Sequence, residues 1–238
     1  MPDFFTDGQG RVRPITKKKG GVGVVVAGVT AVAAFAGGGG AAGLGGAGAG
    51  AGAGAPAAAE VGVGSVRLGG SSGQLRARKS EGQKAARRGE VEGAWQRMGL
   101  RQVKRIAKQQ AECVAASFGQ VRQFFTTHRC THLDRVLFAV ADGEGNTAVV
   151  SVAWVGLTDA REAREFDGLM ETHGSGDITP LGGALLELGH VEFTGLRYGS
   201  DRDGAAVTVA EAENAPGARF DHDTLDAIAE VAAYLPRL

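Results

Sequence analysis

The chain has 238 residues, 26 Lys and Arg against 26 Asp and Glu, and 40 glycines. That length leaves room for one domain of ordinary size with tails, and excludes a large multidomain assembly. The formal charge of zero hides an asymmetry: residues 61–112 carry twelve Lys and Arg against four Asp and Glu, while residues 113–238 carry nine Arg, nineteen Asp and Glu, and no lysine. Blocks of opposite sign attract, so the basic segment is expected to fold back on the acidic one or to link neighbouring molecules.

Residues 1–19 read as a short disordered cytoplasmic tail ending in Lys17, Lys18 and Lys19. Behind the lysines, Val22 to Ala36 holds no charged side chain. A spanning helix needs about 20 apolar residues, and residues 20–43 reach that length, so one transmembrane helix is expected there. The nearest basic residue beyond the run is Arg67, so positive charge retained inside puts the N-terminus in the cytoplasm and the remainder outside. A cleaved signal ending at Ala34-Phe35-Ala36 is the rival reading. The gradual fading of apolar character and the long basic lead favour a retained anchor, and both readings export the same domain. Membrane lipid is thus the first expected partner, and self-association through small residues such as Ala33 and Gly37 is a second possibility.

Residues 44–89 read as a disordered linker, Gly/Ala-rich to Ala59 and then basic. A GxGxxG match at Gly43, Gly45 and Gly48 follows no strand and carries no weight as a nucleotide site. From residue 90 a folded domain is expected. Val103, Ile106, Ala107, Ala111, Val114, Phe118, Val121 and Phe125 recur at three- and four-residue steps, predicting one amphipathic helix with Arg101, Lys104, Arg105 and Lys108 on its other side. An exported domain seldom meets nucleic acid. Anionic headgroups, an anionic envelope polymer or an envelope protein are the partners expected for such a face. Trp95, in the basic segment, is read as interfacial.

Leu133–Ala141 and Ala148–Leu157 flank Asp142-Gly143-Glu144-Gly145-Asn146 and predict a hairpin. Thr158-Asp159 caps a helix over Ala160–His173. A second hairpin is expected from His190–Tyr198 and Ala205–Ala212, with Val207 and Val209 on one side, and a last helix over Asp221–Leu235. The element order αββ-αββ-α predicts a two-layer α+β domain: a four-stranded antiparallel sheet with helices on one face. Trp154 is expected in its core.

Outside the cytoplasm Cys113 and Cys130 read as a disulfide, closing a loop of about 17 residues worth roughly 3 kcal/mol. The rival is a metal site, since His128, Cys130 and His132 share one side of an extended segment. No fourth ligand is evident, and Cys130 cannot serve both roles. Asp221-His222-Asp223 suits a helix start. His173-Gly174-Ser175-Gly176-Asp177 resembles a nucleophile elbow only superficially, and no Walker loop, HExxH or CxxC occurs. Glu187, Glu192, Asp201 and Asp203 are carboxylates able to meet in space, for acid–base work or calcium. No catalytic residue and no cofactor is indicated, and a binding or interaction module is favoured over a carboxylate hydrolase of envelope polymers or a structural membrane protein.

The run from Cys113 through Ser117, Gly119, Val121 and Phe124, then Cys130, Leu133, Arg135, Leu137 and Phe138, resembles a group of uncharacterised membrane-anchored proteins of actinomycetes. So do Ser151-Val152-Ala153-Trp154-Val155 and Tyr198-Gly199-Ser200 with Asp203-Gly204. The resemblance covers about residues 110–215. It implies an exported domain with a cysteine pair and brings no activity. His128-Arg129 stands where the resemblance leads one to expect an adjacent proline.

Overall fold

The computed structural model describes residues 4–6, 12–14, 64–110, 112–182 and 186–238. Lys17, Lys18 and Lys19, the expected membrane segment and the Gly/Ala tract lie outside the described residues. Among those described, no helix is long and apolar enough to cross a membrane. In the expected tail, strands β1 (Phe4–Thr6) and β2 (Val12–Pro14) pair antiparallel.

The folded domain begins well before residue 90. Ser72–Arg87, expected to continue the linker, forms helix α1. Its inner face is Leu75 and the small residues Gly82, Ala85 and Ala86, at helical spacing among basic ones. The Ser71 hydroxyl accepts from the Gln74 amide and caps it. Helix α2 (Val91–Met98) follows and ends on Gly99 at φ 82°.

The expected long helix does not form. Arg101–Gln110 is strand β3, and a separate helix α3 spans Gly119–Thr127. Along β3, Gln102, Lys104 and Ile106 are half-buried while Arg101, Val103, Arg105 and Ala107 are exposed, the two-residue period of an edge strand. Strands β4 (His132–Ala141) and β5 (Thr147–Gly156) form the first hairpin where expected. The Asp142 carboxylate closes its turn, accepting from the amides of Glu144 and Asn146 and from the Asn146 side chain. Helix α4 (Ala160–Met170) is capped by Asp159, and α5 (His222–Ala232) by Asp221, as the sequence implies.

The second hairpin is displaced. Strand β6 covers Tyr198–Asp203, not residues 190–198, and β7 covers Ala206–Asn214. Asp203 pairs with Ala206, so the turn is Gly204-Ala205 rather than the whole of 199–204. The segment expected as a strand is instead an irregular strap over the sheet.

The sheet has five antiparallel strands, not four, in the order β3-β4-β5-β7-β6. Helices cover both faces, not one. Val136, Phe138, Val150, Val152, Ala210 and Ala212 point at α1, α2 and α5. Leu133, Val155, Val207 and Val209 point at α3 and α4, around Phe124, Phe125 and Phe166. Further along the second face, Leu137, Ala139 and Val149 lie under Leu181 and Leu186, ahead of the strap, and under Val191 and Phe193 within it. Strands apolar on both sides need two covers. Trp154 is in the core, with its indole N–H donating 3.0 Å to the Leu235 carbonyl. Trp95, expected at an interface, is wholly buried against Phe138, edge to face at 5.8 Å.

The basic segment does fold back. Arg67 reaches Asp221 at 2.6 Å and Asp223 at 2.7 Å, and Lys79 reaches Glu230 at 2.6 Å. Arg87 lies 3.9 Å from the centre of the Tyr234 ring.

A disulfide-braced acidic cavity

Cys113 and Cys130 lie at disulfide-bonding distance, with Cα atoms 6.3 Å apart. The bond joins the connector after β3 to the entrance of β4. That connector holds the loop after α4 by backbone hydrogen bonds: the Phe118 amide donates to Asp177, the Gln120 amide to Ser175, and the Thr179 amide to Ala116, at 2.5 to 2.9 Å. The two backbones touch at Gly119 and Gly176. A Cβ on Gly119 would sit 2.7 Å from the Ser175 carbonyl, and Gly176 has φ 106°. Only glycine fits a positive φ at such an approach. The Arg135 guanidinium, buried on β4, donates 2.6 Å to the Thr179 carbonyl.

The loop so held forms one wall of a cavity of about 210 Å³. The cavity opens on the second face, where the cover passes from α4 to the strap. Met170 and Asp177 stand on one side, Phe193 and Gly195 on the other, and Phe118 is half exposed at 49%. The floor is the sheet. Tyr198 and Ser151 are the cross-strand partners of Glu211 on either side. A smaller void of about 20 Å³ shares Asp177, Tyr198 and Glu211 and reaches down to Ser151 and Ala153. It has room for one water-sized group.

The carboxyls of this cavity are Glu211 and Asp177, and the His173 imidazole also lines it. Glu211 is 5% exposed, and burial first, then the nearby Asp177 charge, push its carboxyl up to about 8. The Gly195 amide donates to it and works the other way. Burial pushes Asp177 up to about 7 against a 2.6 Å hydrogen bond from the Ile178 amide. The Tyr198 hydroxyl is raised well above the usual phenol range by burial and by the charges of Asp167, Asp177 and Glu171, while Ser200 partly offsets this. Ser200 lies near enough to favour the phenolate, yet among the described residues no hydrogen bond of ordinary geometry satisfies the hydroxyl.

A stability prediction follows from linkage. Both carboxyls bind protons more tightly folded than unfolded, so folding takes up protons between the two ranges. Their contribution is full below the unfolded values of 3.8 and 4.5 and is lost as pH rises through about 7 and about 8. Asp159 and Glu187, held below the usual range by hydrogen bonds, act only at lower pH. The urea midpoint should therefore fall from pH 5 to pH 8.5, and E211Q should flatten that fall. A midpoint level or rising over this range contradicts the assignment.

The candidates named from sequence fall elsewhere. Glu187 pairs with Lys104 on β3 at 2.7 Å, on the edge opposite β6, and Glu192 is exposed. Asp201 and Asp203 are near one another on β6 but lie apart from Glu187. His128 stacks on Phe124 at 4.0 Å. With Cys130 in the disulfide, His128, Cys130 and His132 do not assemble as ligands, and no group of three such side chains suited to a metal occurs among the described residues. Ser175 is buried and its hydroxyl donates 2.8 Å to Leu169, which is no nucleophile's position. In the sequence Asp177 stands out only as the end of a false nucleophile elbow, and Glu211 carries no motif.

No protein-family model matches the chain, and no curated protein or solved structure is detectably similar to it.

Proposed function

We propose that the chain is a single-pass membrane protein of the cell envelope, N-terminus in the cytoplasm, whose exported α+β domain binds a small ligand in the cavity over Glu211. The cavity carries this reading: a concave site with apolar walls, a few convergent polar groups and two carboxyls of perturbed proton affinity is where ligands are ordinarily held. It stands on a five-stranded sheet, a rigid base for a site. Two observations support the placement: the lysine triplet before an uncharged apolar run, and the cysteine pair at bonding distance.

The test is to fill the cavity. Thr172 is exposed and lines the mouth, so T172W should block entry without disturbing the core. Small-molecule fractions of the envelope are added to the full-length chain and the unfolding temperature is read. At least one fraction is expected to raise it, through preferential binding to the folded state. The rise should vanish in T172W and persist in E230Q, which is remote from the cavity. A rise that survives T172W contradicts the reading, as does no rise with any fraction.

A second reading has its own observation. Asp177 and Glu211 share a cavity and titrate near neutrality, which suits general acid–base hydrolysis of an envelope polymer. Turnover of envelope glycan by the full-length chain, abolished in E211Q and D177N, would select it over simple binding.

A further inference from the structure

We infer that the cavity over Glu211 is built for an organic cation: an ammonium group on an apolar stem, as carried by a lysyl side chain or a free alkyl amine. This rests on the reading of the cavity as the binding site. Its size comes first. About 210 Å³ is below the roughly 300–1,000 Å³ of sites for drug-sized molecules, so it suits a side-chain-sized group. Its polar lining comes second. Glu211 and Asp177 approach from the sheet and from the loop, and the Tyr198 hydroxyl is buried without a hydrogen bond of ordinary geometry. All three can accept from an ammonium, which has three donors to place.

Acidic surroundings are the third observation. Charges at Asp167, Glu171 and Glu213 add to the anionic field of the cavity groups. Arg202, the cation bonded to Asp167, is already committed at 3.1 Å. An anion would meet repulsion here, while a cation would neutralise the pair and strengthen with each carboxyl it ionises. The walls are the fourth. Phe118, Phe193 and Tyr198 with Met170 give aromatic and apolar surface, which attracts an organic cation by its ring faces and its stem. A bare metal ion would want further oxygen ligands instead of rings, and no three-residue metal group is present among the described residues.

Isothermal titration calorimetry on the full-length chain in detergent tests this. The probes are Nα-acetyl-lysine methylamide, its neutral counterpart Nα-acetyl-norleucine methylamide, and 1,5-diaminopentane. The lysine amide should bind at least tenfold tighter than the norleucine amide. That preference should fall at least tenfold in E211Q and in D177N, and stay unchanged in D201N, whose position on β6 falls on the face opposite Tyr198. Circular dichroism of each variant confirms folding, and agreement of two separate neutralising variants keeps the result independent of either one. Diaminopentane binding as tightly as the lysine amide assigns a free amine, and weaker binding assigns a peptide side chain. Equal binding of lysine and norleucine amides, both weakened by the variants, overturns the cation while leaving the cavity as the site. Lysine amide binding indifferent to both variants overturns the site itself. Silence from every probe up to 20-fold molar excess at millimolar concentration overturns both.

Discussion

Trp95→Ala is expected to destabilise the domain by about 3–5 kcal/mol, the cost of emptying a large aromatic site in a packed core. Trp95 is 0% exposed, packed between α1 and the sheet and against the Phe138 ring. One feature moderates the value. Among the described residues the indole N–H finds no hydrogen-bond partner, and a buried donor left without one costs roughly 1–3 kcal/mol. Trp95→Phe, which removes that donor and keeps most of the ring, should therefore cost about 1 kcal/mol or less, within the range for volume-similar swaps. Urea unfolding of the three proteins checks the pair. A Trp95→Ala loss under about 1 kcal/mol would mean that the tryptophan sits outside the core, as at a membrane interface.

Removing the Cys113–Cys130 bond should cost about 3 kcal/mol, as expected for freeing a loop of 17 residues in the unfolded chain. At roughly 2–4 °C per kcal/mol for a domain of this size, the unfolding temperature should drop by about 6–12 °C in C113A/C130A or under reductant. The loss should also have a location. Cys113 anchors the connector whose backbone holds residues 175–179, the wall of the cavity. Amide exchange at Phe118 and Thr179 should quicken more than at Val152 in the sheet centre. Uniform quickening, or no change in stability, would mean that the bond does not brace the cavity.

The hairpin β4–β5 and both helix caps are legible because each rests on local chemistry, and the fold-back of the basic segment because it follows from the opposite charge of the two blocks. Asp142 and Asn146 close a turn with their own side chains, and Asp159 and Asp221 cap with theirs. The failures came where tertiary packing overrides the local pattern. Val103, Ile106 and Ala107 fit a helical period, yet an edge strand needs only one half-buried side, and Ile106 opposite Leu137 supplies it. Helix α1 was hidden because alanine and glycine make its buried face, and they read as linker beside so many basic residues. The sequence predicts a strand over His190–Tyr198, but Val191 and Phe193 pack on the cluster of Leu137, Ala139 and Val149 and join no neighbouring ladder.

For the cavity, half the signal was present. Val207 and Val209 were read as sharing one side of their strand, and Glu211 falls on that same side by the period of two. A carboxylate in register with two core valines is a buried carboxylate. Asp177 had no such signal, since only the fold brings the loop after α4 over β7. The carboxylates that were named, Glu187 and Glu192 among them, are surface groups, and their number in the sequence said nothing of convergence.

The central claim is an exported, disulfide-braced domain held at the membrane. Thiol labelling of intact cells with a membrane-impermeant maleimide, before and after reduction and with the mass of the protein read alongside, tests it most directly. The account predicts no labelling before reduction, two labels after it, and the mass of the full 238-residue chain. Labelling that appears only after the cells are lysed would contradict it.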